Sequence, residues 1–230
     1  MGAAPDAVIA YLFDIDGTLV RAGGAGSRAL TAVMSARYGV ADATAGIAFA
    51  GRTDGWIVAT MFDRALGRAP EPGETDAVLA DYVAELERGL PGSLRVLPDV
   101  ADVLRWLAGR PEVRLGVATG NIAAGARAKL AVAGLDGYFG FGGYGCDALE
   151  RPALVAAAKA RAGVGPGDVA VVVGDTVHDV AAARACGARV VAVTTGGDDR
   201  ATLEAAGADV VFDRLGELPA WHDREFAAGA

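Results

Sequence analysis

Two aspartates one residue apart, Asp14 and Asp16, stand where an apolar run ends. Side chains two apart on an extended chain point to the same side, so both carboxylates face one pocket and Ile15 turns away. Gly17 follows and permits close backbone approach to a ligand. Two further places repeat the pattern of strand followed by polar residues. Thr119, Gly120 and Asn121 follow Val113 to Ala118, and Asp175 and Asp179 follow Val169 to Val173 and Gly174. Four carboxylates gathered at one edge repel one another and raise one another's pKa values. A hard divalent cation relieves that repulsion, and Mg2+ takes few protein ligands plus a substrate phosphate. The helix starts after Thr119 and Gly174 offer free N–H groups to an anion. One more cation is wanted, and Arg151 opens a helix between the second and third places. Taken singly, Asp-Gly is a common turn pair and a helix-start arginine is a solvated surface residue.

The elements that must position these residues are legible as patterns. Val8 to Leu12 is almost unbroken apolar sequence with β-branched members. Such a run reads as a strand buried on both faces, in the middle of a parallel sheet. Ligands of open α/β sheets bind outside the carboxyl ends of the strands. Strands at residues 113–118, 138–144, 169–173, 189–193 and 208–212 alternate with helices, including one capped by Asp99 and one running from Arg151 and Pro152 to about Ala162. That alternation implies right-handed crossovers and an α/β fold with a Rossmann-like parallel sheet. No strand pattern stands out between residues 20 and 92. Ser27 is placed to cap a helix stopped by Gly39, and Thr53 to cap a second. A third runs from Glu74 to Leu90, with Val78, Leu79, Val83 and Leu86 at helical spacing. The glycine-rich connector from Arg21 to Gly26 lacks the Gly-Lys-Ser/Thr ending of a phosphate loop and reads as a hinge. Pro91 to Ser93 closes the block. Residues 1–19 and 93–230 are therefore expected to form the core, and residues 20–92 a helical cap over the strand ends.

Bulk properties narrow the function classes. The chain has 230 residues, of which 53% are hydrophobic, ample for a buried core. Its formal net charge is −8 and no basic cluster stands out, which argues against duplex nucleic acid and anionic membranes as partners. Cys146 and Cys186 are the only cysteines. They make neither a metal spacing nor a disulfide framework, and two free thiols fit a reducing cytoplasm. No leader-like start and no membrane-length apolar run is seen. His178 reads as a polar residue in a first helical turn, Cys146 as an incidental thiol, and Trp56, Trp106 and Trp221 as packing residues.

The ordered set of motifs resembles the haloacid dehalogenase superfamily of aspartate-nucleophile hydrolases. "FDIDGTL", Phe13 to Leu19, matches the first motif, Asp-x-Asp-x-Thr. "VATGN", Val117 to Asn121, matches the second, and "VVVGDTVHD", Val171 to Asp179, the fourth. The helical insertion directly after the first motif resembles the subclass with a helical cap. The third motif is usually lysine followed by proline. Arg151 before Pro152 has the right distance to Asp175, and Arg keeps the charge with two N–H groups for phosphate. Lys159, two turns further along that helix, is the alternative.

The resemblance implies a mechanism. Asp14 attacks phosphorus to form an aspartyl-phosphate. Asp16 protonates the leaving alkoxide and then activates water. Mg2+ would be held by Asp14, the backbone carbonyl of Asp16 and Asp175, with Asp179 in an outer position or orienting Arg151. Thr119, the N–H groups of Gly17 and Gly120, Asn121 and Arg151 would surround the phosphoryl oxygens. Arg52, in the loop from Gly51 to Gly55 between two cap helices, would read the leaving group; the plainer alternative is a solvated arginine or a pair with Asp54. The implied activity is phosphomonoester hydrolysis of a small phosphorylated metabolite, 2-phosphoglycolate above others, by a monomer or homodimer. Asp16 separates this chain from the dehalogenases, which expel halide without a second aspartate. A phosphosugar mutase uses the same acid and stands as the alternative. Phosphonate hydrolysis needs a cap lysine, and residues 20–92 contain none. A phosphate-binding regulatory module without turnover is a further class, but receiver domains lack both the helical insertion and an acid like Asp16.

Overall fold

The computed structural model describes residues 7–226. Residues 1–6 and 227–230, the outer ends of the expected core segments, lie outside the described residues, and the expectation of no leader-like start falls on the first of these. β1 (Ile9–Phe13) and the short β2 (Val20–Arg21) lead into α1 (Ala25–Tyr38), α2 (Asp54–Leu66) and α3 (Glu74–Gly89). Then come β3 (Arg95–Val96), α4 (Val100–Ala108), β4 (Val113–Ala118), α5 (Ala123–Ala133), β5 (Phe141–Gly143) and α6 (Arg151–Ala162). The chain continues through β6 (Val169–Gly174), α7 (Val177–Ala185), β7 (Arg189–Val193), α8 (Arg200–Ala205), β8 (Val210–Phe212) and α9 (Leu218–Phe226).

Six strands make one parallel sheet in the order β5-β4-β1-β6-β7-β8. All five residues of β1 are buried, because both faces of the sheet are covered. Tyr11 and Phe13 pack on one face with Leu104, Val117 and Trp221; Leu12 packs on the other with Val172, Val190 and Leu203. Phe13 pairs with Val117 of β4 and Val173 of β6, so the three strands end level. Asp14, Thr119 and Asp175 therefore emerge along one edge. The chain order reverses beside β1, which places that edge at a switch point, where open α/β sheets bind ligands.

α1, α2 and α3 bury their own cluster, including Leu30, Met34, Ile57, Met61, Phe62, Val78 and Leu86, apart from the two sheet cores. β2 and β3 pair antiparallel, Val20 with Val96 and Arg21 with Arg95, and join the entry and exit of this helical block. Strands of two residues are too short to leave a periodic pattern. Thr53 caps α2, its side chain accepting from the Trp56 N–H. Ser27 does not cap α1: the helix starts earlier, after left-handed Gly24, and the Ser27 hydroxyl bonds Thr44 instead. Asp99 precedes α4 but sits at φ 66 and makes no side-chain cap bond. The expected strand at 138–144 shrinks to Phe141–Gly143, because Asp136–Tyr138 form a 3-10 turn. Gly143 lies so close to α6 that a Cβ would stand 1.9 Å from the Leu154 carbonyl oxygen. α8 and α9 add to the expected elements. Among the described residues no helix is long and apolar enough to cross a membrane.

Candidate active site

Asp14 continues β1 by one ladder bond, its N–H donating to Val173 O at 2.8 Å. The carboxylate sits at the strand end, 5% exposed. Gly17 follows at φ 84, and a Cβ there would stand 2.4 Å from Asp175 Oδ2. Glycine is needed for both reasons. The Gly17 N–H, expected to face phosphate, donates instead to Val20 O at 2.8 Å, because the loop closes on itself as a turn. Thr18 Oγ1 donates to Asp175 Oδ1. Asp175 Oδ2 accepts from the Gly197 N–H at 2.6 Å, in a loop from Thr194 to Asp199 that the sequence patterns do not single out. A Cβ on Gly196 would stand 1.8 Å from the same oxygen. Asp179 sits one helical turn on, bound to the backbone and side chain of Thr176 in a capping box.

Arg151 is 8% exposed and bonds Asp179 Oδ1, with Asp14 Oδ2 3.5 Å away. Lys159 is not part of the site: its ammonium donates to the Cys186 carbonyl. Asp14, Asp175 and Asp179 each offer one oxygen, and these atoms lie within 4.8 Å of one another. Burial pushes Asp14 and Asp175 above the usual carboxylate range. Neighbouring carboxylates push them further, and Arg151 pulls Asp14 part of the way back. A buried set of hard oxygen donors short of positive charge fits a Mg2+ ion. His178 does not join that set. It packs against Gly51, where a Cβ would stand 2.3 Å from its ring, and burial together with Arg52 and Arg151 lowers its pKa.

Asp14, Asp16, Gly17, Arg52, Thr119, Gly120, Asn121, Arg151 and Asp175 line one cavity of about 560 Å³. Asp179 lies behind it, 2% exposed. Thr119 Oγ1 accepts from Asn121 Nδ2 at 2.8 Å, and the same amide donates to Asp16 Oδ2 at 2.9 Å. The opposite wall comes from the helical block, through Ile47, Phe49, Ile57 and Tyr82. The Gly51–Gly55 loop presses on the core. Asp54 N–H donates to Gly120 O, Asp54 Oδ2 accepts from Ile122 N–H, and a Cβ on Gly120 would stand 2.1 Å from Arg52 O. Arg52 is exposed and its guanidinium lies 4.4 Å from the Trp56 ring centroid. Asp54 is engaged with α5 and makes no pair with Arg52.

Lys129 is a charged site residue that sequence reasoning missed. It is 4% exposed, and its ammonium donates to Asp16 Oδ2 and Asn121 Oδ1. The available signal was its place on the stripe Gly125, Ala126, Lys129 and Leu130, a lysine at helical spacing among small and apolar residues. Cys146 is exposed, while Trp106 and Trp221 serve packing.

A family model for haloacid dehalogenase-like hydrolases matches residues 9–187, and the chain belongs to that family. It is a hydrolase, with relatives that are phosphatases. It is 34% identical over 220 residues to the phosphoglycolate phosphatase of Rhodospirillum rubrum, covering 92% of this chain and 90% of that one. It is 32% identical over 163 residues to the phosphoglycolate phosphatase of Synechococcus elongatus, covering 71% and 74%. Among solved structures, a hydrolase from Pseudomonas syringae shares the fold with a TM-score of 0.71 at 23% identity, over 94% of this chain and 99% of that one.

Proposed function

We propose that this chain is a Mg2+-dependent phosphomonoester hydrolase working through an aspartyl-phosphate, with a small phosphorylated metabolite as substrate and 2-phosphoglycolate the first candidate. The observation that carries the reading is the convergence of Asp14, Asp16, Thr119, Arg151 and Asp175 on one cavity at the carboxyl ends of the strands. The names of the curated relatives support the substrate class.

Asp14 is the nucleophile: a carboxylate oxygen attacks phosphorus as the bond to the leaving oxygen breaks. Asp16 gives that oxygen its proton. Water then attacks the phosphorus of the acyl phosphate and gives a proton to Asp16, while the Asp14 carboxylate is restored. Thr119 Oγ1, the Gly120 N–H and the Arg151 guanidinium hold the phosphoryl oxygens. Asp179 keeps Arg151 oriented. Mg2+ would be held by Asp14, Asp175 and the Asp16 carbonyl, with Asp179 beside them, and would offset the charge of phosphate and carboxylates. Steps on phosphate rather than on carbon follow from Asp16, since an alkoxide needs a proton and a halide does not.

The test is Asp14→Asn, assayed for phosphate release from a panel of phosphorylated metabolites with Mg2+. The expected outcome is loss of turnover, because an amide is no nucleophile, with a melting temperature no lower than the parent's, because asparagine removes a carboxylate that burial disfavours. Residual activity above ~1% of the parent, with deamidation excluded, defeats the covalent mechanism, since removal of a nucleophile costs orders of magnitude more.

A further inference from the structure

We infer that Lys129 is a positioning residue for Asp16, an inference that rests on the phosphatase reading above. The lysine is not explained by packing. It sits on the buried stripe of α5 at 4% exposure, where an apolar side chain of similar length would fill the space without taking an ammonium out of water. Its partners are two side chains of the cavity. Lys129 Nζ donates to Asp16 Oδ2 at 2.5 Å and to Asn121 Oδ1 at 2.7 Å. Asn121 Nδ2 donates to the same Asp16 oxygen at 2.9 Å and to Thr119 Oγ1 at 2.8 Å.

This network is one-sided. Both donors grip Oδ2, and Oδ1 has no hydrogen-bond partner among the described residues. The Asp16 side chain as a whole is 42% exposed and lines the cavity with Lys129. Oδ2 is anchored and Oδ1 is left as the oxygen that faces the leaving group. In the forward step the proton on Asp16 passes to the leaving oxygen as its bond to phosphorus breaks. In the return step the carboxylate takes a proton from the attacking water. Lys129 takes part in neither proton transfer and acts only by holding Asp16. Without it, a half-exposed carboxylate on two rotatable bonds keeps one amide contact and turns freely.

A positioned acid matters most where the leaving group is most basic. The experiment therefore uses a series of similar shape: p-nitrophenyl phosphate, phenyl phosphate and benzyl phosphate, with Mg2+. kcat/KM is measured for the parent, Lys129→Met and Lys129→Gln, because it reports the step in which the leaving group departs. The loss should grow along the series, from less than about 3-fold on p-nitrophenyl phosphate to about 10–100-fold on benzyl phosphate, a part of the ~10²–10⁴-fold expected of general acid help. An equal loss on all three esters would make Lys129 a structural or binding residue and overturns the inference, as does no loss. Collapse of both variants in a thermal melt overturns it too, since the lysine would then serve the fold. A parent that releases no phosphate from any ester with Mg2+ removes the phosphatase reading itself.

Discussion

Replacing Asp54 by asparagine should stabilise the protein, and only above a definite pH. Asp54 opens α2 and is 6% exposed. It joins the helical block to the core twice, donating its N–H to Gly120 O at 2.9 Å and accepting the Ile122 N–H at 2.8 Å. Burial pushes its pKa from 3.8 up to about 6, against the pull of Lys129 and the Ile122 N–H. A raised carboxylate pKa means that the ionised form is disfavoured in the fold. The penalty is absent below about pH 4, grows between about pH 4 and 6, and is complete above that. A shift of roughly two units corresponds to about 3 kcal/mol at ~1.4 kcal/mol per unit. Asparagine keeps an oxygen for the Ile122 N–H and carries no charge. Asp54→Asn should therefore melt about 6–12 °C above the parent at pH 8, taking ~2–4 °C per kcal/mol for a chain of this length. Near pH 4 the two should melt together. Thermal denaturation of both proteins across this range is the assay. A gap independent of pH, or a variant less stable at pH 8, refutes the reasoning and places the value of Asp54 in its charge beside Lys129.

Arg151→Ala should cost roughly 10²–10³-fold in kcat/KM, the loss expected for one transition-state donor, and Arg151→Lys should recover a good part; a near-silent Arg151→Ala beside a crippling Lys159→Ala would reassign the role. Asp175→Ala should weaken Mg2+ binding in calorimetric titration more than it lowers the melting temperature, and excess chelator should abolish turnover of the parent. Arg52→Ala should lower kcat/KM on the preferred metabolite by about 10–150-fold, as for a lost hydrogen bond to a charged group, and change p-nitrophenyl phosphate much less. Equal losses would assign Arg52 to its stack on Trp56.

Local pattern was enough for the strands and for the order of the motifs. A strand covered on both faces must be apolar throughout, so Val8 to Leu12 is readable without a structure, as is the change to carboxylates where it ends. Helical spacing likewise showed α3, and Thr53 showed the start of α2. What required the tertiary structure was everything set by distance across the chain. Arg151 and Lys159 are both cations on one helix, and only the packing of α6 against β5 and α7 puts the first on Asp179 and the second on Cys186. Lys129 is an ordinary lysine until the burial of α5 carries it to Asp16, 113 residues away in sequence. The Thr194–Asp199 loop carries no motif, yet its glycines close over Asp175 from 22 residues further along the chain. The Gly17 N–H is committed to Val20 by a turn that hydrophobic periodicity does not record. Periodicity reports which face of an element is buried; which charged groups meet there depends on how the elements pack.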